Sequence, residues 1–426
     1  MKRALIITYY WPPAGGPGVQ RWLKFVKYFR AYGIEPIVYA PDNPNYPLID
    51  KNFSSDIPDN IEILKQPINE PYRFAKVFSK KKTKKMSSGI ISKKDVSAVE
   101  KLMLYVRGNF FIPDARVGWV KPSVKFLSEY ISQNPVDVII TTGPPHSLHL
   151  IGMQLQNELN IKWIADFRDP WTTIHYHKSL RLNKASARKH KELEAAVLKT
   201  ADLITVTSPT TKREFEMITE TPIEVITNGY DVTEKINFKI DSQFSISHIG
   251  SLLSERNPEV LWKVLSTICI ENPEFKDDLL LKFAGAVNDE VKDSLENFQL
   301  LENCVFLGYV AHSDALKLQH QSQVLLLVEI NSAETRAIIP GKLFEYLAAK
   351  RPIIALGPKE SDIEDVISET NSGKFFGYWS DDELKAEVLH LYENFKDGNL
   401  SVASEGIEKY SRKALTERMA TIIQDI

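Results

Sequence analysis

Pro340-Gly341-Lys342-Leu343-Phe344-Glu345 opens an apolar-periodic segment whose residue types suit an anion with a diol attached. Pro and Gly at a helix start leave backbone N–H groups aimed at an anion, and the helix dipole favours negative charge there. Glu345 follows Gly341 by about one turn and shares its face, where a carboxylate can accept two hydrogen bonds from vicinal ribose hydroxyls. A phosphate-facing helix start with a diol-binding carboxylate one turn inside points to a nucleotide. Upstream, Gly250-Ser251-Leu252 ends an apolar run and Arg256-Asn257-Pro258 opens the next helix. An arginine fork beside a glycine turn matches diphosphate oxygens, the alternative being a surface charge on a loop.

Two further groups lie in the first half. Gly15-Gly16-Pro17-Gly18 joins the first strand to the first helix, as a tight turn or as a binding loop whose amides meet an anion or a close substrate. It is not G-x-G-x-x-G, and no acid sits some 20 residues on to take a ribose, which argues against a nicotinamide-dependent dehydrogenase. Asp166, Arg168 and Asp169 end another strand. Charges at the C-terminal end of a parallel strand are expected to point toward a ligand cleft; the alternative is a local Asp–Arg pair that fixes the loop. His146, after Thr141-Thr142-Gly143-Pro144-Pro145, is either an acceptor-site residue or a helix cap.

The elements that must position these groups alternate short β-rich runs with helical periodicities, predicting an α/β protein with parallel sheets. A first series has strands near 4–8, 34–40, 61–64, 136–141, 162–167, 203–206 and 223–226. Helices are expected after the glycine loop and at 121–133, 147–159, 184–199 and 209–218. A second has strands at 244–249, 279–284, 304–307, 324–328 and 352–356, with helices near 258–271, 290–298, 314–320, 342–349 and 381–395. Asn228-Gly229-Tyr230-Asp231 and the polar stretch to Ser242 suggest a boundary between 230 and 243. The predicted domains are 1–232, joined by a returning helix at 408–426, and 240–407.

The chain has 426 residues, 43% hydrophobic and 25% charged, the mixture of a globular protein with two or three domains. Only Cys269 and Cys304 are present, which excludes a Cys-ligated zinc module and a disulfide scaffold and suits a reducing compartment. A net charge of −2 implies no general affinity for nucleic acid. The opening apolar run is too short for a signal peptide, and no run reaches the roughly 18 apolar residues of a membrane span, so a cytoplasmic address is expected. Residues 73–94 hold nine basic side chains and no acidic one. They form either a solvated loop or a patch for an anionic membrane surface, to which Phe110-Phe111-Ile112-Pro113 could add an apolar contact.

Read in order, these motifs resemble a GT-B glycosyltransferase of the family 4 (group 1) type, across nearly the whole chain. The resemblance rests on the Gly-rich first loop, Asn228-Gly229-Tyr230-Asp231, Gly250 with Arg256, Phe306-Leu307-Gly308-Tyr309-Val310, and the segment from Pro340 to Pro352. It implies two Rossmann-like domains facing across a cleft, the first for the acceptor and the second for a nucleotide-sugar donor. Gly16, Gly18, Gly250, Pro340 and Gly341 would line the binding loops. Arg256 and Lys342 would neutralise the diphosphate, Glu345 would bind ribose and the backbone near Val310 would meet the base.

Two positions depart from the family pattern. The paired-glutamate motif has an acid eight positions before Glu345, where this chain has Ala337; Glu334 is the nearby carboxylate. The histidine many members carry in the first domain is Arg168 here, flanked by Asp166 and Asp169, a variant resembling a subgroup that builds bacterial surface polysaccharides. The implied activity is retaining transfer from a UDP- or GDP-sugar to a saccharide or lipid-linked saccharide, with no cofactor. Metal independence is expected, since no Asp-x-Asp ends a strand of the second half. Peripheral association with the inner face of the cytoplasmic membrane is a further expectation. A nucleotide-sugar epimerase of the same fold and a non-catalytic nucleotide-sugar-binding protein are the competing readings.

Overall fold

The computed structural model describes residues 1–70, 98–231 and 238–426. The basic run 73–94 therefore lies outside the described residues. The chain divides into two compact units, Met1–Thr227 with Arg412–Ile426, and Asn228–Ser411. The division falls just before the polar stretch because Tyr230 already belongs to the second unit. Its N–H donates to Tyr410 O at 3.1 Å, and its ring is buried with Ile407 and Tyr410.

In the first unit, seven strands form one parallel sheet: β1 (Lys2–Ile7), β2 (Ile34–Pro41), β3 (Glu62–Gln66), β4 (Val138–Gly143), β5 (Lys162–Phe167), β6 (Leu203–Val206) and β7 (Ile223–Val225). Their order is β3-β2-β1-β4-β5-β6-β7, so the sequence direction reverses between β1 and β4. Leu5, Ile7, Ile139 and Ala165 alternate with Ala4, Ile6, Ile140 and Ile164 onto opposite faces, as the two-residue period requires, and each face has its own core. One face is covered by the helices Val120–Gln133, Ser147–Leu159 and Lys184–Thr200, the other by Pro17–Phe29 and the returning helix Arg412–Asp425. Burying both faces is why these strands read as continuous apolar runs.

The second unit repeats the plan with six strands: β8 (Phe244–Ile249), β9 (Leu279–Ala284), β10 (Cys304–Gly308), β11 (Val324–Val328), β12 (Ile353–Leu356) and β13 (Gly373–Phe376), ordered β10-β9-β8-β11-β12-β13. Here the reversal lies between β8 and β11. Helices Glu259–Glu271 and Asp381–Lys396 pack on one face; Gly341–Ala349 and Asp362–Thr370 pack on the other. Strand β13 and the helices Ala98–Phe110, Pro273–Asp278 and Asp362–Thr370 were not expected from the sequence. Strand β13 is four residues long and starts Gly-Lys, so neither alternation nor β-propensity marks it.

Candidate functional site

Open α/β sheets take ligands beyond the carboxyl ends of their strands, where the order reverses. In the second unit that point carries most of the residues expected from the sequence. Strands β8, β9 and β10 end on Gly250, Gly285 and Gly308, with φ of 125°, 125° and 64°. A Cβ on Gly285 would lie 2.4 Å from Gly250 O, and one on Gly250 would lie 2.9 Å from Lys342 Nζ. Backbone therefore meets backbone here, with Gly250 N–H donating to Ala284 O at 2.7 Å, and Lys342 is brought beneath the glycine turn.

Arg256 ends the short turn Ser254–Arg256. Its Nη2 and Nε both donate to Glu329 Oε1, at 2.9 and 3.2 Å, and Nη2 also reaches Oε2 at 3.2 Å. Glu329 is fully buried, whereas the Arg256 side chain is 26% exposed. Ile330 N–H donates to Glu329 Oε1 and Tyr378 Oη donates to its carbonyl, both at 2.8 Å. A buried carboxylate thus holds an arginine whose outer edge remains open. Sequence reading passed over Glu329; the signal was an acid directly closing the all-apolar strand Val324–Val328, a place a charge occupies only when paired.

Lys342 Nζ donates to His248 Nε2 at 3.1 Å, which assigns the other ring nitrogen as the donor to Leu326 O at 3.0 Å. Burial and the Arg256 charge push Lys342 down to about 7, against the opposing pull of Glu329 and Glu345. Burial, reinforced by Lys342, holds His248 neutral, well below the usual histidine range. An anion entering between Arg256 and Lys342 would restore the full charge of the lysine.

The helix Gly341–Ala349 starts at Gly341, with Pro340 as its cap residue at φ −62° rather than inside the first turn. Leu343 N–H returns to Pro340 O at 2.9 Å, and a Cβ on Gly341 would meet nothing within 4 Å, so the start of the helix is open. Leu343, Phe344, Tyr346 and Leu347 anchor the rest of the helix in the core, and Tyr346 Oη accepts from Ile249 N–H at 3.0 Å. Glu345 is tied to the helix His312–Gln321: Oε1 faces His312 Nε2 at 3.0 Å and Oε2 accepts from Gln319 Nε2 at 2.9 Å. Val310 is half-buried against the apolar side of this helix layer. Ala337 and Glu334 are both half-buried in the segment leading to Pro340.

In the first unit the expected charges separate. Asp166 is wholly buried, which corrects the expectation that its charge points toward a ligand cleft. Its Oδ1 accepts from Arg21 Nη2 and Thr205 Oγ1, each at 2.8 Å; Oδ2 accepts from Trp22 Nε1 at 2.7 Å and Thr142 Oγ1 at 2.8 Å. Burial alone would raise its pKa; the Arg21 charge and these donors outweigh it and hold the carboxyl below the usual range. Asp166 therefore positions the helix Pro17–Phe29 on β4, β5 and β6.

Arg168, half-buried, spends its donors on carbonyls: Nη1 on Gly18 O at 2.9 Å, Nε on Gly143 O at 3.3 Å, and Nη2 on Pro144 O. A Cβ on Gly18 would lie 2.6 Å from Arg168 Nη1, so the glycine makes room for the guanidinium. Gly16, at φ 91°, caps the helix with open space around it. Asp169 is half-buried.

His146 is buried and stacked on Trp171 at 5.0 Å, and neither ring nitrogen has a hydrogen-bond partner among the described residues. His149, His177 and His190 lie around the same rings. Burial lowers all four pKa values, that of His149 to about 3 and that of His177 to about 4. Among the described residues no three His, Cys, Asp or Glu side chains group to hold a metal ion, and no helix is long and apolar enough to cross a membrane.

Residues 92–234 match the family described as Glycosyltransferase Family 4, and residues 231–401 match Glycosyl transferases group 1. No curated protein matches the chain. Sucrose-phosphate synthase from Thermosynechococcus elongatus superposes with a TM-score of 0.64 at 12% identity, over 100% of this chain and 99% of that one. The lipopolysaccharide outer core galactosyltransferase WaaB, in its apo form, gives 0.59 at 11%, over 100% of both chains. A TarM variant from S. aureus, in complex with fondaparinux, α-GlcNAc-glycerol and UDP, gives 0.59 at 12%, over 99% and 100%. At such identities the likeness is one of fold, that of two Rossmann-like domains. With the two family matches that together span most of its length, the chain belongs to the GT-B glycosyltransferases of the family 4, group 1 type.

Proposed function

We propose that the enzyme is a retaining glycosyltransferase that takes a sugar from a UDP- or GDP-sugar and passes it to a saccharide or lipid-linked saccharide of the cell surface. The observation that carries this reading is the second unit's reversal point, where Arg256, Lys342 and an open helix start converge beside a glycine turn. The diphosphate lies against the Gly341 amide, Lys342 Nζ and the free edge of Arg256. Glu345 accepts the ribose hydroxyls and the backbone near Val310 meets the base. UDP in the TarM complex favours uridine as that base.

Charge building on the departing diphosphate is stabilised in place by Arg256, Lys342 and the helix N-terminus, which removes charge without proton transfer from the enzyme. The acceptor attacks from the face the diphosphate leaves and a leaving-group oxygen takes its proton, so no enzymic base is needed. The acceptor is assigned to the first unit, beside Gly16, Gly18 and the loop that Arg168 ties down. Glu334, in the absence of an acid at 337, serves the donor sugar.

The test is a thermal-shift series with UDP and GDP, followed by product analysis on the matching nucleotide sugars. A ligand at about a hundred times its dissociation constant stabilises by ~2.7 kcal/mol, a rise of several degrees. Arg256→Ala is expected to weaken that binding by roughly tenfold or more, as loss of a charged hydrogen-bond donor does. Unshifted melting with every nucleotide overturns the reading. Conversion of donor without acceptor would mark an epimerase, and binding with neither transfer nor hydrolysis would mark a binding protein.

A further inference from the structure

The helix His312–Gln321 carries an amide at a position where packing favours an apolar side chain. Ala315 and Gln319 are its buried residues, four apart and so on one face, and the helix packs against Gly341–Ala349. Gln319 is 0% exposed. Its Nε2 donates to Glu345 Oε2 at 2.9 Å. That contact fixes which way the amide faces, because an ionised carboxylate only accepts, and a reversed amide would set oxygen against oxygen. Gln319 Oε1 is therefore turned away from Glu345. It is buried there with no hydrogen-bond partner among the described residues.

A buried amide oxygen without a partner lowers stability, and a methionine would fill much the same space without one. Gln319 is thus a poor choice for folding, and what it supplies is a donor to Glu345. Local rules of this kind are broken where a site has to be shaped. The last torsion of a glutamate side chain is broad, so an unheld carboxylate presents its two oxygens in many planes. A pair of vicinal hydroxyls meets both oxygens in few of them. His312 also holds the group, its Nε2 carrying the proton toward Oε1 at 3.0 Å, but from a side chain that is 41% exposed. The buried amide is the more rigid of the two partners.

We propose that Gln319 is a positioning residue for donor recognition: its amide sets the plane of the Glu345 carboxylate, and through it the enzyme tells a ribonucleotide from a 2′-deoxyribonucleotide. This rests on the assignment of Glu345 to the ribose.

Calorimetry on the full chain tests it, with UDP against 2′-deoxy-UDP and GDP against 2′-deoxy-GDP. The wild-type enzyme is expected to reject the deoxynucleotide of its preferred base by at least about tenfold, as loss of a hydrogen bond to a charged group does. Gln319→Met should cut that ratio to about threefold or less. Glu345→Ala should abolish the discrimination, and adding Gln319→Met to it should change the ratio no further, because the amide acts only through the carboxylate. No binding of either nucleotide by the wild type overturns the donor assignment and this inference together. Equal wild-type affinity for the ribo and deoxy forms strikes the ribose role of Glu345, and the inference falls with it. A discriminating wild type beside an equally discriminating Gln319→Met variant overturns the inference alone, leaving the donor assignment in place. A Gln319→Met variant that melts several degrees lower yet still rejects the deoxynucleotide does the same, making Gln319 a packing residue.

Discussion

Both units hold an arginine against a buried carboxylate near the end of a sheet strand, and the two pairs do different work. Asp166 in the first unit is sealed: Arg21, Trp22, Thr142 and Thr205, from one helix and two neighbouring strands, donate to its oxygens, and the Arg21 and Asp166 side chains are 2% exposed or less. Glu329 in the second unit is as deeply buried, but it grips one side of an arginine that is 26% exposed. A charge at a strand end is therefore a structural brace when its hydrogen-bonding capacity is spent inside the protein. It stays accessible to a ligand when the remaining capacity faces outward. The same contrast separates Arg168, committed to the carbonyls of Gly18, Gly143 and Pro144, from Lys342, whose pKa burial and the Arg256 charge push down to about 7.

The largest expected effect divides the two carboxylates. Asp166→Ala should cost about 3–5 kcal/mol of first-unit stability in a denaturant titration, since it strands Arg21 in the interior. Glu329→Gln keeps the shape and should cost about 1–2 kcal/mol of stability while lowering transfer roughly a hundredfold, because Arg256 loses its anchor. Equal losses of stability in both variants would erase the distinction.

A smaller effect concerns pH. Free Lys342 titrates near 7, and a bound diphosphate favours the charged form, so its pKa rises on binding. Above pH 7 each binding event must then take up a proton, and UDP affinity should fall by up to about tenfold per pH unit in calorimetry. A flat profile from pH 7 to 9 would place the anion away from this lysine. The smallest effect compares the two helix starts. Gly18→Ala should destabilise by about 1–2 kcal/mol, since its Cβ would meet Arg168 Nη1 at 2.6 Å. Gly341→Ala has open space and should change stability by no more than about 1 kcal/mol.

Much of the architecture was legible because the strands are buried on both faces. Runs such as Val324–Val328 and Phe244–Ile249 read as strands without any view of their partners. Elements failed to show where local pattern was weak: β13 is short, and the helix Ala98–Phe110 has apolar residues on two sides, which blurs a single stripe.

The sequence by itself determined the two-series α/β plan, the glycine turns and the helix opening at residue 341, because periodicity and the backbone needs of Gly and Pro are local properties. Only the tertiary structure decided which charges keep an open edge and which brace. That Asp166 meets Arg21, Trp22, Thr142 and Thr205, and that Glu329 meets Arg256, depends on neighbours brought together across strands and helices. A carboxylate's role is set by the donors around it, and those come from residues distant in the chain.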